Sequence, residues 1–314
     1  MIKDAYNKAE IELLSCCNLC PRECGVNRFE GGSGYCGTDA GLNIASICVH
    51  RGEEPPVSGP QGICNIFFAA CNLHCIYCQN HDISRPGSGK REKPLVLDDL
   101  LDIIEGMTGQ GIKSVGFVSP SHVVPQMKAI IRGIKDRGID PVIVFNTNGY
   151  DKPETLRGLE GLIDVYLPDY KYVTGSLSAS YSDACDYPEV ALKALKEIYY
   201  QKGSSLQMDE EGIALEGMLI RHLVLPGHAE ESKKVLRMIA EELSPGIHLS
   251  LMSQYHPTSE VRNHPVIGRP LYRDEYRSVV DEMDRLGFRN GWLQDPESNE
   301  NYLPDFRNDN PFEK

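Results

Sequence analysis

From about Ile63 onward, short β-branched or aromatic runs alternate with segments whose apolar residues recur at helical spacing. This is the pattern of repeated βα units around a parallel sheet. Strands are predicted over residues 64–70, 114–119, 142–146, 164–167, 218–225 and 248–254. Helices are predicted over 97–107, 125–137, 154–159, 188–201 and 229–243, with one more, 273–286, after the last strand. The segment 229–243 is the clearest, because Val235, Leu236, Met238, Ile239 and Leu243 fall on one face. Six strands are too few for a closed eightfold barrel. The fold expected is therefore α/β, a partial (βα)6 TIM-like barrel, with a doubly wound open sheet as the alternative that pattern alone leaves open. Within residues 207–215, Asp209-Glu210-Glu211-Gly212 is expected to turn a hairpin before the fifth strand. The domain reading is a Cys-rich appendage over 1–60, the barrel over 61–290, and an irregular tail over 291–314 rich in Asn, Asp and Pro.

Composition narrows the function classes. A formal charge of -13 works against phosphate-backbone binding, which needs clustered Lys and Arg, so no nucleic-acid partner is expected. No apolar run is long enough for a membrane helix, and Met1 to Glu12 mixes acids and lysines where a signal peptide would be basic and then apolar. The expectation is a cytoplasmic protein with no membrane partner. Eleven cysteines in such a compartment point to metal binding before disulfides.

Cys71, Cys75 and Cys78 lie within eight residues, directly after the apolar run Ile66-Phe67-Phe68-Ala69-Ala70. Thiolates are the ligands of iron–sulfur clusters, and a loop at a strand end can wrap three corners of a cubane. The fourth iron then has no local ligand. Structural zinc loops instead pair cysteines in two knuckles, which this compact triplet does not do. An open iron can be chelated by the amino and carboxylate groups of S-adenosylmethionine (SAM). The triplet closely resembles that of the radical SAM superfamily, and the resemblance implies a 4Fe-4S cluster that reductively cleaves SAM to a 5'-deoxyadenosyl radical.

Further matches follow in order: Cys78-Gln79-Asn80, Asn146-Thr147-Asn148-Gly149, Asp169-Tyr170-Lys171, Ile220-Arg221-His222-Leu223-Val224-Leu225-Pro226-Gly227 and Gln254-Tyr255-His256. Over roughly residues 63–260 this succession resembles the glycyl-radical-enzyme activating proteins typified by pyruvate formate-lyase activating enzyme. The likeness is closest to a branch with an N-terminal cysteine cluster and a segment like Gly52-Glu53-Glu54-Pro55-Pro56. Each match falls at the C-terminal end of a predicted strand, where βα barrels gather active-site groups.

The resemblance implies Tyr77 beside the adenine and Ser119, Asn148, Asp169, Lys171 and His256 at SAM. The bland readings are packing for Tyr77, a surface ion pair for Asp169 and Lys171, and a turn residue for His256. Arg221, earlier in its strand, is either a buried, paired cation or a partner of the SAM carboxylate. Two departures stand out. Ser119-Pro120-Ser121-His122 replaces the usual Gly-Gly-Glu, and Asn146 stands where activating enzymes have an Asp that helps hold a monovalent cation, so that cation is not carried over. The implied partners are a low-potential electron donor of flavodoxin or ferredoxin type and a glycyl radical enzyme or other protein substrate. A small-molecule or side-chain substrate, and a non-catalytic electron-transfer or sensing role, are the alternatives.

Cys17, Cys20, Cys24 and Cys36 form a second, glycine-flanked group, enough for tetrahedral zinc or iron or for a second cluster, with Cys16 as an alternative first ligand. A structural metal would staple a segment too small for its own core. Reduced, unliganded packing cysteines are the bland reading.

Overall fold

The computed structural model describes residues 2–88, 95–295, 303–308 and 310–312, so residues 296–302, 309, 313 and 314 of the predicted tail lie outside the described residues. Its strands in chain order are β1 (Ile44–His50), β2 (Ile63–Phe68), β3 (Ser114–Val118), β4 (Val142–Thr147), β5 (Val165–Pro168), β6 (Gln207–Met208), β7 (Ala214–Leu223), β8 (His248–Met252) and β9 (Gly291–Leu293). Its helices are α1 (Lys8–Ser15), α2 (Pro55–Ser58), α3 (His81–Ser84), α4 (Leu97–Thr108), α5 (Val124–Asp136), α6 (Pro153–Arg157), α7 (Gly175–Ser182), α8 (Tyr187–Lys202), α9 (Ala229–Glu242) and α10 (Arg273–Arg285).

The predicted strands correspond to β2, β3, β4, β5, β7 and β8. They lie side by side in that order, every neighbouring pair parallel, with β9 added in parallel beyond β8. The fold is thus mixed α/β, a partial barrel, and the predicted helices α4, α5, α6, α8, α9 and α10 pack outside it. Strand period two divides the core into layers. Val115, Phe117, Ile143, Phe145, Met218, Ile220, Leu249 and Leu251 point outward onto helix residues such as Leu101, Ile130, Leu195, Leu236 and Val279. Their neighbours Val144, Val165, Leu167 and Leu219 point into the barrel. The predicted hairpin forms as β6 against the start of β7.

Strand β1 escaped prediction. It pairs antiparallel with β2, His50 opposite Ile63, so the chain leaves β1 at the N-terminal end of the barrel. There α2 plugs the floor, and Val57 packs into the inner layer with Ile63, Val144 and Leu219. Two prolines open this short helix, which suits N-terminal positions that need no N–H partner. At the open seam Phe306 and Phe312 of the tail pack on Phe67. Helix α1 begins with a capping box between Asn7 and Glu10, and the buried Glu10 carboxylate takes both guanidinium branches of Arg132 from α5, each at 2.7 Å. Among the described residues no helix is long and apolar enough to cross a membrane.

Gly116 faces the barrel interior, and a Cβ there would overlap the Asn65 side-chain oxygen. Gly116→Ala is expected to destabilise the protein by about 1–3 kcal/mol, read as a lower denaturation midpoint with an unchanged slope.

Candidate functional site

Where β2 ends, Ala70 turns the chain at φ 73°, left-handed backbone that a non-glycine residue adopts only under local constraint. Its N–H donates to the Ile83 carbonyl at 2.7 Å, and the cysteine loop begins at the next residue. Each thiol of the triplet has its own polar neighbour. Cys71 Sγ accepts from Leu73 N at 3.4 Å and from the Asn148 amide at 3.3 Å, Cys75 Sγ lies 3.0 Å from Ser182 Oγ of α7, and Cys78 Sγ accepts from Ser84 Oγ of α3 at 3.5 Å. The Ile76 N–H bonds to the Tyr181 carbonyl, and Gln79 reaches the Gln254 carbonyl beyond β8. Burial pushes the Cys71 thiol up to about 12 and also raises Cys75, against the pull of Lys171.

All three cysteines line one cavity of about 360 Å³ at the C-terminal ends of the strands, within the range of ligand pockets. Tyr77, Ser119, Asn148, Asp169, Lys171 and Arg221 line it as well. Asp169 and Lys171 pair at 2.5 Å with side chains only 15% and 18% exposed, so they form a cavity pair and not a surface pair. Tyr77 is buried, its hydroxyl accepting from Tyr172 at 2.6 Å. His256 is the exception, since it does not line the cavity. Past β8 the wall position belongs to Gln254, Tyr255 turns into the core with its hydroxyl on the Ile267 carbonyl, and His256 is half-buried.

Arg221 projects from β7 into the lumen and is fully paired on three sides. Its Nε donates to Asp169 at 3.1 Å, Nη1 to Glu53 at 3.2 Å and Nη2 to Asn146 at 2.5 Å. Asn146 therefore spends its oxygen on Arg221. Burial would raise the Asp169 carboxyl, but Lys171 and Arg221 outweigh it and hold it below the ordinary range. Glu53 is depressed for the same reason against the same burial, with His50, Arg221 and Asn65 as its partners.

The segment Gly52 to Pro55 thus enters the site from the barrel floor. Sequence reasoning quoted Glu53 and Glu54 but assigned them nothing, because β1 was not recognised and its downstream loop had no place. Two adjacent acids before two prolines, at the end of an apolar run, were the available signal. Ser250, Gln254 and Trp292 were also missed as wall residues.

The N-terminal cysteines lie outside the barrel. Cys17, Cys20 and Cys36 are buried and, with Cys24, lie within electrostatic range of one another, whereas Cys16 is exposed. Burial first, then these neighbours, push the Cys20 thiol up to about 12. Cys24 Sγ accepts from Tyr35 N at 3.3 Å and Cys36 Sγ from Arg28 at 3.4 Å. Among the described residues, no group of three or more His, Cys, Asp or Glu side chains is arranged to hold a metal ion. The donor chemistry suits iron or zinc at this group. At the central triplet it suits a multi-iron cluster, which takes one thiolate per iron and spreads its ligands apart.

The same segment clamps the cysteine loop. Arg22 donates to the Asn72 carbonyl at 3.0 Å and the Asp183 carbonyl at 2.7 Å, with its guanidinium 3.7 Å from the Tyr35 ring centroid. Tyr35 in turn stacks on His74, which is half-buried and not a solvated loop residue.

Residues 65–199 match the family model of the Radical SAM superfamily. An uncharacterized protein of Methanocaldococcus jannaschii is 27% identical over 270 residues, which cover 84% of this chain and 73% of that protein. Among solved structures, Streptococcus suis SuiB bound to the precursor peptide SuiA is similar at 15% identity and a TM-score of 0.49, over 75% of this chain and 49% of that one. Methylornithine synthase PylB is similar at 13% identity and a TM-score of 0.48, over 73% of this chain and 63% of that one. The chain spans about half the length of SuiB.

Removing Arg221 leaves Asp169 and Glu53 facing each other in the lumen without their shared cation. Arg221→Met is expected to destabilise the protein by about 3–5 kcal/mol. The added replacement Glu53→Gln should recover part of that loss in a double-mutant cycle.

Proposed function

We propose that this chain, whose match over residues 65–199 supports the radical SAM superfamily, reductively cleaves SAM and uses the radical to abstract hydrogen from a substrate. The observation that carries the reading is the convergence of Cys71, Cys75 and Cys78 with Tyr77, Ser119, Asn148, Asp169, Lys171 and Arg221 on one cavity at the strand ends. The three cysteines would hold a 4Fe-4S cluster. When bound, the cluster supplies the electron for SAM cleavage and an open iron for the SAM amino and carboxylate groups. Asn148 and the Leu73 N–H donate to Cys71 and favour its thiolate over its thiol. Lys171 does the same for Cys75 through its charge. Lys171 remains anchored by Asp169 and offers its other N–H groups to a carboxylate or ribose hydroxyl.

The likeness to activating enzymes supports one substrate reading, a backbone glycine of a partner protein, with a flavodoxin- or ferredoxin-type electron donor. The acidic side chains that enter the lumen from the barrel floor favour a second reading, a small molecule that enters the lumen. A stable radical found in a partner protein would support the first, and many turnovers of a small substrate the second. The N-terminal thiols are proposed to hold a structural metal, testable by metal content per chain in protein lacking the central triplet. Eleven free thiols support a reducing, cytoplasmic setting.

Cys75→Ala is expected to abolish both the cluster's absorption and SAM cleavage in anaerobically reconstituted protein while the chain stays folded. Full SAM cleavage by that variant would end the assignment. Lys171→Ala should keep its iron content and bind SAM about ten- to a hundredfold more weakly, the loss of one hydrogen bond to a charged group. Unchanged affinity would remove Lys171 from the SAM contacts.

A further inference from the structure

At the floor of the cavity one carboxyl is unaccounted for. Glu54 enters the lumen beside Glu53, its carboxyl facing the Ser250 hydroxyl of β8. The residue is 9% exposed, and its Oε2 oxygen has no hydrogen-bond partner among the described residues. A buried carboxyl oxygen left without a donor costs about 1–3 kcal/mol, more if charged, unless a ligand satisfies it. The neighbouring acid shows what satisfaction looks like here, because Glu53 takes His50, Asn65 and Arg221. Glu54 Oε2 is left without a donor among the described residues.

Charge decides what kind of donor. The cavity wall carries the acids Glu53, Glu54 and Asp169 against the bases Lys171 and Arg221, one acid more than bases when all are ionised. The complement is a single positive charge. Pro55, Leu223, Met252 and Trp292 add apolar surface to the same cavity. A group that fits both features is a cationic donor on an apolar body.

We propose that Glu54 anchors the primary ammonium of a small amine substrate at the barrel floor, an inference that rests on the small-molecule reading of the substrate given above. The anchor would leave the remainder of the ligand extending upward toward the strand ends, where the radical is generated. SAM also carries an ammonium, but its chelating end belongs at the cysteine loop, beyond the end of β2, and Glu54 enters from the opposite end of the barrel.

Burial raises the Glu54 carboxyl, Glu53 adds to the rise, and Arg221 opposes it. The groups that face it are Glu53 on its own loop, Arg221 from β7 and the uncharged Ser250 from β8, with His50 of β1 behind Glu53 and Asp169, just past β5, behind Arg221. The carboxyl binds the ammonium only after losing its proton. Amine binding therefore releases a proton, and affinity rises as pH climbs through the raised Glu54 value.

The test is a ligand-observed NMR titration of the full-length, anaerobically reconstituted protein with n-butylammonium, and with n-butanol and n-butyrate as controls of similar shape. The expected result is that the ammonium binds about tenfold or more tightly than either control, that affinity increases with pH, and that saturating SAM does not displace it. Glu54→Gln should weaken ammonium binding by about tenfold or more and flatten the pH dependence. Ser250→Ala, which removes the hydroxyl that orients the carboxyl, should weaken it in the same direction and keeps the test open if the first variant does not fold. Equal binding of the ammonium and butanol, undiminished binding in both variants, or displacement of the amine by SAM would each overturn the proposal. Wild-type protein that cleaves no SAM would instead overturn the radical reading, and the titration without SAM still reads the floor separately.

Discussion

A guanidinium in the lumen of a barrel is the constraint around which this site is organised. Arg221 cannot shed its proton, so its side chain has to be surrounded by acceptors wherever the fold places it. Asp169 comes from the end of β5, Asn146 from β4, and Glu53 from a loop that belongs to no βα unit. The last contact ties the plug beneath the barrel to the strands of its wall. It also gives Asn146 a physical meaning. A third carboxylate there would have placed three acids on one cation, whereas an amide oxygen accepts the same hydrogen bond without adding charge.

The cysteine loop shows the complementary principle, a short segment with almost no structure of its own that is held by distant parts of the chain. Its backbone is fastened by Arg22, Tyr181 and Thr258, the Gln79 side chain just after it by the Gln254 carbonyl, and its sulfurs by Asn148, Ser182 and Ser84. Five of these, Arg22, Asn148, Tyr181, Ser182 and Thr258, are near the triplet in space and far from it in sequence. Arg22 is the most telling, because its planar cation stacks on Tyr35 while its N–H groups serve two carbonyls, a combination lysine cannot reproduce. The N-terminal segment is accordingly part of the wall that shapes the loop, and strand β1 carries its chain on into the same sheet as the barrel.

Local pattern was sufficient wherever a residue's environment repeats along the chain. Alternation with period two and with helical period located the parallel strands and their covering helices, since those periods follow from backbone geometry. The triplet was legible for a similar reason, because three thiols within eight residues can meet without help from the fold. Helix α7 was missed because Ser176, Ser178, Ser180 and Ser182 replace the apolar stripe that marks a helix, yet one of those serines contacts Cys75. Strand β9 was missed because it is a short edge that carries no alternation of its own.

What the sequence by itself determined is the order of βα units, the cysteine loop after the first parallel strand, and the residue types at each strand end. Tertiary structure alone decided that β1 turns antiparallel, that Glu53 and Glu54 rise through the floor, that Gln254 takes the wall position past β8, and that Cys17 and not Cys16 joins the N-terminal group. The physical reason is separation. Periodicity records which face of its own element a residue occupies, but the pairing of Glu53 with Arg221 across 168 positions depends on how those elements close around a shared interior.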